Sequence, residues 1–467
     1  MVVTDFDFDL AVLGAGSAGY WAARTAGSAG ARVALIDPGP LGGLCILRGC
    51  MPTKALLRST DVLHLARHAS TLGVEVGPVG FDFARIMARK AHWVEDFARY
   101  RREGIESQQG FEWIQAAGRF LDAHTLQAGD RRLTAKAILV ATGSRPWAPP
   151  IPGLAEAGYW TSDDVLALER PPRSLIVMGG GVIALELGQF MARLGVETTL
   201  AVRAERVLAS EDGDVSAEVA RCMLNEGIRL ETRLQFHRVT RTSQGYRLEV
   251  ERDGTTFELE AEALLVATGR VPAVEGLDLD AAGVHHLPQR IPVDAHLRTS
   301  TRHIYAVGDA ASRHQLVHVA IAEGTYAARH ALGEALPAFD DRLLAWAIFC
   351  DPNVARVGRS EAECRAAGIP HVVGTYPFND QGKALVANLT DGFVKVIAHR
   401  ETGEILGAAV VGAEGADLIH EMIVAMYFHS TCRQFLEIPH LHPTLAEIWL
   451  EPVEACEEAR QSACVAS

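Results

Sequence analysis

Three features that mark membrane, secreted and nucleic-acid-binding proteins are missing from this sequence. No run of 18 apolar residues occurs in the 467-residue chain, so we predict no membrane-spanning helix. The first residues contain no basic segment followed by an apolar core, as a secretory signal would. No Lys/Arg-rich run is present, and the formal charge of −14 opposes binding to a phosphate backbone. We therefore predict a cytoplasmic protein without a membrane or nucleic-acid partner.

Length and composition indicate a multidomain globular protein. The chain exceeds what one hydrophobic core comfortably supports, so two to four domains are expected. Hydrophobic residues make up 48% of the chain and charged residues 22%, which is typical of globular domains. The 8 cysteines lie outside any secretory context. Under those conditions a disulfide is more often catalytic than structural. We predict no metal site.

The most informative motif is a pair of cysteines in a glycine-rich segment, residues 42–54. Cys45 and Cys50 are five residues apart. On a regular helix this separation is a rise of about 7.5 Å, whereas the Cα atoms of a disulfide lie about 4.4–6.8 Å apart. The helix must therefore be distorted between them, which Gly49 permits, and Pro52 suits the first turn of the helix that follows. The alternative is two unrelated buried cysteines.

A dinucleotide-binding motif opens the chain. The apolar run of residues 8–13 leads into a turn containing Gly14, Gly16 and Gly19, and a small-residue helix and a second strand follow. Such a turn lets the backbone and a helix N-terminus approach a pyrophosphate. Asp37 lies 18 residues after Gly19, where an acidic residue can accept a hydrogen bond from an adenosine ribose. The alternative is a tight strand-to-helix turn without a ligand.

A second unit repeats the first. Its strand leads into Gly179 and Gly181, and Ala184 stands at the third position of the motif. Arg203 follows Ala184 by 19 residues, with Arg206 nearby. A guanidinium suits the 2′-phosphate of NADP, so these residues favour NADP over NAD. The alternative is a solvated arginine at a strand end.

Further repeats and composition changes divide the chain. Residues 136–143 resemble residues 262–269, and each predicts a buried strand that ends in a tight turn. The Pro-rich residues 145–153 predict a linker, and the alternating residues 230–259 predict antiparallel hairpins. We predict an α/β protein with two Rossmann-like domains and a C-terminal α+β domain. The predicted domains are 1–150 and 151–272, one for each nucleotide-binding unit, then 273–339 returning to the first domain, and a C-terminal domain at 340–467.

From the glycine turn at residues 14–19 to the motif at residues 442–447, the sequence resembles the group I pyridine nucleotide-disulfide oxidoreductase family, and dihydrolipoamide dehydrogenases in particular. The resemblance implies FAD in the first nucleotide domain and NAD(P) in the second. We predict that the cofactor-binding residues are Gly14, Gly16, Gly19, Asp37, Gly43, Lys54, Thr142, Gly143, Gly308 and Asp309, together with Gly179, Gly181, Ala184, Arg203, Arg206 and Gly269.

The resemblance also implies the catalytic residues. Cys45 and Cys50 would form the redox-active disulfide, with Cys50 nearer the flavin, and Lys54 would pair with Glu186. His442 would transfer protons in thiol–disulfide exchange, a step suited to its near-neutral pKa, with Glu447 orienting its ring. In the family this pair comes from the partner subunit, so a homodimer is implied. For His440 a packing role is favoured over catalysis.

The chain departs from the family pattern at a few positions. Leu44 replaces the usual Thr, and Leu47 and Arg48 replace Asn followed by Val or Ile. Arg48 could depress a thiolate pKa or attract an anionic substrate, or simply point into solvent. Cys456 and Cys464 are spaced unlike the redox-active tail pairs of some relatives, so an ordinary tail is favoured. The remaining cysteines suggest packing: Cys222, Cys350, Cys364 and Cys432.

The predicted function is therefore that of a flavin-dependent oxidoreductase that moves electrons between NAD(P)H, FAD, the Cys45–Cys50 pair and a substrate disulfide or dithiol, as dihydrolipoamide dehydrogenase does. One alternative is an NADPH-dependent reductase of a glutathione-like disulfide or of a metal ion such as mercury. Another is a non-catalytic flavoprotein that docks into a multienzyme complex.

Overall fold

The computed structural model describes residues 6–107, 110–312 and 314–465. Its N-terminal part is built on a parallel sheet that continues into an antiparallel extension, with strand order β3-β2-β1-β6-β5-β4. The elements are β1 (Phe8–Leu13), α1 (Ser17–Ser28), β2 (Val33–Ile36), α2 (Gly43–Arg48), α3 (Cys50–Arg67), α4 (Phe83–Glu106), β3 (Phe111–Ile114), β4 (Gly118–Phe120), β5 (Thr125–Ala128), β6 (Arg131–Val140) and β7 (Ser144–Pro146).

The second part has a four-stranded parallel sheet, in which apolar strands are buried on both faces. Its elements are α5 (Leu154–Ala157), α6 (Ser162–Val165), β8 (Ser174–Met178), α7 (Val182–Arg193), β9 (Glu197–Ala201), α8 (Gly213–Asn225), β10 (Arg229–Glu231), β11 (Gln235–Thr242), β12 (Gly245–Arg252), β13 (Thr255–Ala261), β14 (Ala263–Val266) and β15 (Arg270–Pro272). The parallel order is β10-β9-β8-β14, and β11-β12-β13 form the antiparallel hairpins that the sequence predicted.

The chain then returns to the first sheet through β16 (Ile304–Ala306) and α9 (Val317–Ala331). Strand β16 pairs in parallel with β6, which places Ala306 opposite Val140. The two crossings between the nucleotide-binding parts also pair, because β15 is antiparallel to β7. The domain boundaries at 150, 272 and 339 stay predictions, and residue 272 is the last of β15.

The C-terminal part is a five-stranded antiparallel sheet of order β17-β18-β21-β20-β19. Helix α12 packs on β18 and β21, and α14 packs on β19 and β20. The elements are β17 (Trp346–Ile348), β18 (Asn353–Gly358), α10 (Glu361–Ala366), β19 (His371–Pro377), α11 (Gly382–Ala387), β20 (Phe393–His399), β21 (Ile405–Gly412), α12 (Gly415–Tyr427), α13 (Cys432–Leu436) and α14 (Leu450–Val465). Short 3-10 helices occupy Ala69–Leu72, Leu279–Ala282, Gly308–Ala310, Phe378–Asp380 and Leu445–Trp449. No helix in the described ranges is long and apolar enough to cross a membrane.

The two internal repeats have the same close backbone contact. A Cβ at Gly14 would lie 2.4 Å from the carbonyl oxygen of Ala141, and a Cβ at Gly179 would lie 2.3 Å from that of Ala267. Both glycines also have positive φ, 104° and 136°. Glycine is required at each position because a side chain would clash with the end of the neighbouring strand. In both halves of the repeat, the glycine turn therefore packs against the end of the repeated strand.

A buried arginine joins the three parts of the fold. The side chain of Arg193, at the end of α7, is 3% exposed. Its guanidinium lies 2.8 Å from Asp61 of α3, 2.7 Å from Glu226 after α8, and 2.7 Å from Asp351 before β18. Burial raises the pKa of Asp61 to about 6 even with this cation beside it. Without Arg193 these carboxylates would repel one another in a partly dry environment.

We therefore expect Arg193→Met to reduce the free energy of unfolding by about 3–5 kcal/mol, as loss of one partner from a buried ion pair does. The urea midpoint of the purified protein measures this effect. Arg170→Met is the matched control, because Arg170 is 75% exposed and pairs only with Glu262 among the described residues. Equal midpoints for the two variants would contradict a stabilising role for this junction.

Candidate active site

The two cysteines of the predicted redox pair meet at a break between two helices. Helix α2 ends at Arg48 and α3 begins at Cys50, with Gly49 between them. A Cβ at Gly49 would lie 2.9 Å from the carbonyl oxygen of Leu44, so this close approach needs glycine. Pro52 lies in the first turn of α3, as the sequence predicted. Both thiols are free and half-buried.

The two sulfurs differ in protonation. The Cys45 thiol donates a hydrogen bond to Cys50, which, with the Lys54 ammonium, lowers the pKa of Cys50 to about 7. The same hydrogen bond and burial raise the pKa of Cys45 well above that of a free thiol, against the charges of Lys54 and Arg101. Near neutral pH the pair therefore holds a thiolate on Cys50 and a proton on Cys45.

Lys54 and Glu186, which the sequence predicted as partners, are in contact. The Lys54 Nζ lies 2.8 Å and 2.9 Å from the two carboxylate oxygens of Glu186. The ammonium also lies 4.6 Å from the ring centre of Phe349, whose backbone N–H donates to Glu186 at 2.9 Å. This ion pair joins α3, α7 and the segment after β17 beside the thiols.

The first glycine turn and Asp37 form one hydrogen-bonded unit. The Asp37 carboxylate accepts 2.7 Å hydrogen bonds from the backbone N–H groups of Ala15 and Gly39. A Cβ at Gly43 would lie 2.6 Å from the Cα of Gly16, so the first residue of α2 crosses directly over the turn. Gly19 is as tightly placed, since a Cβ there would lie 1.8 Å from the carbonyl oxygen of Gly14.

Strand pairing brings the other predicted FAD residues to one edge of the sheet. Because β16 runs parallel beside β6, Thr142 and Gly143 follow one strand where Gly308 and Asp309 follow the other. The Thr142 Oγ1 is buried without a hydrogen-bond partner. Such an atom needs a ligand or water to complete it.

Sequence reasoning missed the residues that hold this edge together. Ser144 donates a 2.6 Å hydrogen bond to Asp309, and Arg270 donates to Ser144 at 2.8 Å. The Gly308 N–H donates at 2.6 Å to Glu323, and burial raises the pKa of Glu323 to about 7. Ser144 and Arg270 directly follow the predicted Gly143 and Gly269, but their partners lie 165 and 126 residues away, so no local pattern identified these contacts.

At the second glycine turn the two arginines point differently. Gly181 precedes α7, which begins at Val182, so Ala184 lies in the first turn of the helix, and Gly269 follows the strand against which the turn packs. Arg203 follows β9 and is exposed. Arg206 instead donates to the carbonyl oxygens of Ala209 and Glu211, at 3.4 Å and 3.1 Å. The guanidinium of Arg203 is therefore more available to a ligand than that of Arg206.

His442 is held by Glu447 and faces outward. Its Nδ1 lies 2.9 Å from Glu447, yet its side chain is 81% exposed. Glu447 also accepts a 2.8 Å hydrogen bond from the Thr444 N–H, and this bond and His442 lower the pKa of Glu447. His440 is enclosed: its side chain is 4% exposed and its Nε2 lies 2.7 Å from Glu421. The two histidines thus differ in exposure, and their different roles stay a prediction.

The positions that depart from the family pattern lie in ordinary surroundings. Arg48 is 62% exposed and reaches Asp163 at 3.4 Å, while the positive charges that act on the thiols come from Lys54 and Arg101. Cys456 is buried and shares a hydrogen bond with Cys432, a contact that sequence reasoning missed. Cys464 lies outside the described side chains. The three other cysteines are buried: Cys222, Cys350 and Cys364.

A cluster of possible metal ligands lies away from the thiols. Ligand atoms of Glu218, Cys222 and Asp391 are within 4.8 Å of one another. The guanidinium of Arg221 contacts both carboxylates, at 2.7 Å and 2.5 Å. Their charge is therefore already compensated by a side chain of the protein.

Comparison with known proteins agrees with this arrangement. Residues 8–324 match the family model of pyridine nucleotide-disulphide oxidoreductases, and residues 344–453 match the dimerisation domain of the same family. The chain is 35% identical over 457 residues to a dihydrolipoyl dehydrogenase of Bacillus subtilis, covering 94% of this chain and 96% of the relative. It is 34% identical over 444 residues to a mercuric reductase of Bacillus cereus, covering 95% of this chain and 70% of the relative.

The fold comparison gives the same result. The structure superimposes on LpdA from Mycobacterium tuberculosis with a TM-score of 0.86 and 28% sequence identity, covering 95% of this chain and 98% of that one. The matched family models together span most of the sequence, including both glycine turns and the paired cysteines. The chain therefore belongs to the pyridine nucleotide-disulphide oxidoreductase family and is an FAD-dependent, NAD(P)H-linked disulfide oxidoreductase.

Proposed function

We propose that this chain forms a homodimeric enzyme of the dihydrolipoyl dehydrogenase type, which exchanges two electrons between a lipoyl-like dithiol and a nicotinamide nucleotide. The observation that carries this proposal is the exposed His442 ring, held by Glu447 at 2.9 Å in a chain that also has an intact dithiol. Exchange with an organic disulfide needs such an acid–base group, whereas direct reduction of a metal ion does not. A cytoplasmic location stays a prediction from the sequence.

In the dithiol-oxidising direction, the proposed exchange has two steps at Cys45. A substrate thiolate attacks the Cys45 sulfur of the Cys45–Cys50 disulfide, which forms a mixed disulfide and releases Cys50 as a thiolate. The second thiol of the substrate gives its proton to His442 and attacks the substrate sulfur that is bonded to Cys45. Cys45 leaves as a thiolate and takes the proton back from His442. One dithiol is oxidised and one disulfide is reduced.

The residues around the glycine turns suit FAD. The backbone crossing of Gly16 and Gly43 leaves no room for side chains over the turn, and the buried Thr142 Oγ1 lacks an acceptor or donor. Gly14, Gly19, Asp37 and Asp309 would complete the binding residues. When bound, FAD supplies the two-electron transfer between the nicotinamide and the cysteine pair. Lys54 is held by Glu186 beside the Cys50 thiolate and keeps that charge compensated.

A second copy of the chain would complete the site. Four large apolar side chains are exposed in the stretch of the dimerisation domain that leads to His442: Tyr427, Phe428, Ile438 and Leu441. Exposed apolar groups in such number favour burial against a partner. With this face covered, His442 and Glu447 of one subunit would serve Cys45 of the other.

For the nucleotide we propose NADP(H), with NAD(H) as the alternative. The exposed Arg203 follows β9, where a 2′-phosphate would meet its guanidinium. Arg206 supports the loop by its backbone contacts. The same arginine favours a second candidate function, an NADPH-dependent reductase of a glutathione-like disulfide or, as for the similar mercuric reductase, of mercuric ion.

Turnover with defined substrates tests the proposal. Lipoamide, glutathione disulfide and mercuric ion, each with NADPH or NADH, should give the highest kcat/KM for lipoamide with NADPH. Arg203→Ala should weaken NADPH binding about tenfold or more, because a lost charge-assisted hydrogen bond costs roughly 1.5–3 kcal/mol. NADH binding is the internal control and should barely change. A wild-type preference for mercuric ion, or equal losses for both nucleotides, would contradict these assignments.

The absorbance spectrum tests the different roles proposed for Cys45 and Cys50. A Cys50 thiolate against the bound flavin should give a long-wavelength charge-transfer band after two-electron reduction. Since the pKa of Cys50 is lowered to about 7, the thiolate and the band should grow as the pH rises through about 7 and fade below it. Cys50→Ser should abolish the band, whereas Cys45→Ser should show it without a reductant. Identical behaviour of the two variants would disprove the assignment.

Subunit complementation tests the shared site. His442→Ala should leave flavin reduction by the nucleotide intact but lower disulfide turnover by about 10²–10⁴, as loss of an acid–base group does. Mixing this variant with Cys45→Ser should restore activity, because a mixed dimer contains one site with Cys45 of the first chain and His442 of the second. Labelled subunits verify the exchange. Exchange without recovered activity would mean that both residues act within one chain.

A further inference from the structure

Arg101 lies on the buried face of α4. Ala98 and Ile105, three residues before and four residues after it, are both buried, and this spacing puts all three on one side of the helix. The neighbouring Arg102 is exposed, and Arg99 pairs with Asp96 on the surface. Helix α4 packs against α2, which carries Cys45. Arg101 is therefore the arginine of this run that faces the redox pair.

The guanidinium of Arg101 is fixed but incompletely bonded. Its Cζ lies 4.3 Å from the ring centre of Tyr20. A Cβ at Gly104 would lie 3.1 Å from the Tyr20 hydroxyl, so the lack of a side chain at Gly104 makes room for the Tyr20 side chain. The Arg101 Nη1 is nevertheless buried without a hydrogen-bond acceptor, and burial lowers the pKa of the side chain.

A buried cationic N–H without an acceptor is costly. Leaving such a donor unsatisfied destabilises the folded protein, and the Tyr20 ring compensates charge but accepts no conventional hydrogen bond. The side chain is nonetheless held by packing in this position. An acceptor supplied by a bound molecule would remove the cost.

A group that accepts a hydrogen bond from the Arg101 Nη1 would lie on the Cys45 side of the cysteine pair. The charges of Lys54 and, more weakly, Arg101 act on Cys45, whereas those that act on Cys50 are Lys54 and Glu186, without Arg101. Lys54 is already satisfied by the carboxylate of Glu186. In the proposed function Cys45 is the sulfur that meets the substrate, so a free guanidinium beside it can contact that substrate.

We propose that Arg101 is a specificity-determining residue that binds a carboxylate of the substrate beside Cys45. The enzyme would then select anionic disulfides and dithiols over neutral ones with the same sulfur group. A guanidinium suits this task because it offers paired N–H donors to a carboxylate. This inference rests on the proposed function for the role of Cys45, but its test does not depend on turnover.

Alkylation of Cys45 provides that test. In the FAD-loaded Cys50→Ser protein, the Cys45 thiolate displaces iodide from iodoacetate or iodoacetamide, forming one S–C bond in each case. The two reagents differ only in charge. We expect Arg101→Gln to lower the iodoacetate-to-iodoacetamide rate ratio about tenfold, with Arg101→Lys between it and the parent and Arg102→Gln unchanged. Any general change in the Cys45 pKa slows both reagents and cancels in the ratio.

Turnover adds a second comparison. The wild-type chain should have a higher kcat/KM for lipoate than for lipoamide, and Arg101→Gln should remove this preference mainly through the KM for lipoate. An unchanged alkylation ratio, or equal losses for lipoate and lipoamide, would overturn the proposal. Weakened FAD binding with an unchanged ratio would assign the Arg101 donor to the flavin instead. Absence of turnover with both disulfides would refute the proposed function, while the alkylation ratio would still decide the role of Arg101.

Discussion

The break in the helix at Gly49 is the constraint on which the redox site depends. A continuous helix would separate residues five apart by about 7.5 Å along its axis, and the two sulfurs could not exchange a proton or form a bond. The break lets α3 begin at Cys50, and Lys54 then lies one helical turn beyond it. The same local geometry that pairs the sulfurs therefore also supplies their nearest cation.

The hydrogen bond between the two sulfurs makes them unequal, because it is the largest influence on the pKa of each. Lys54, which is tied to Glu186, lowers the pKa of both thiols, and Arg101, which approaches from α4, lowers that of Cys45. The Cys45 thiol then donates its hydrogen bond to Cys50, which favours the thiolate there. A low thiol pKa also makes a sulfur a better leaving group. Cys50 would therefore leave readily when a substrate thiolate attacks the Cys45 sulfur.

The sequence was informative wherever a local pattern has one structural solution. The glycine turns, the break at Gly49 and the hairpins of β11–β13 follow from spacing and turn residues within short segments. Arg206 shows the limit, because it lies close in sequence to Arg203 and carries the same guanidinium, yet its side chain bonds to its own loop. Arg101 was missed because its value depends on α4 packing against α2, although its spacing from Ala98 and Ile105 was a readable signal.

The ion pair of Lys54 and Glu186 links the site to the rest of the molecule. Glu186 lies on α7 of the second nucleotide-binding part, and it accepts a further hydrogen bond from Phe349 at the start of the dimerisation part. Arg193, two turns along the same helix, joins the same three parts through carboxylates. A displacement of α7 would therefore separate Lys54 from Glu186. The Lys54 ammonium would then act on the Cys50 thiolate without a counter-ion beside it. The relative position of the three parts thus affects the pKa of Cys50 through the charges of Lys54 and Glu186, in addition to the hydrogen bond from Cys45.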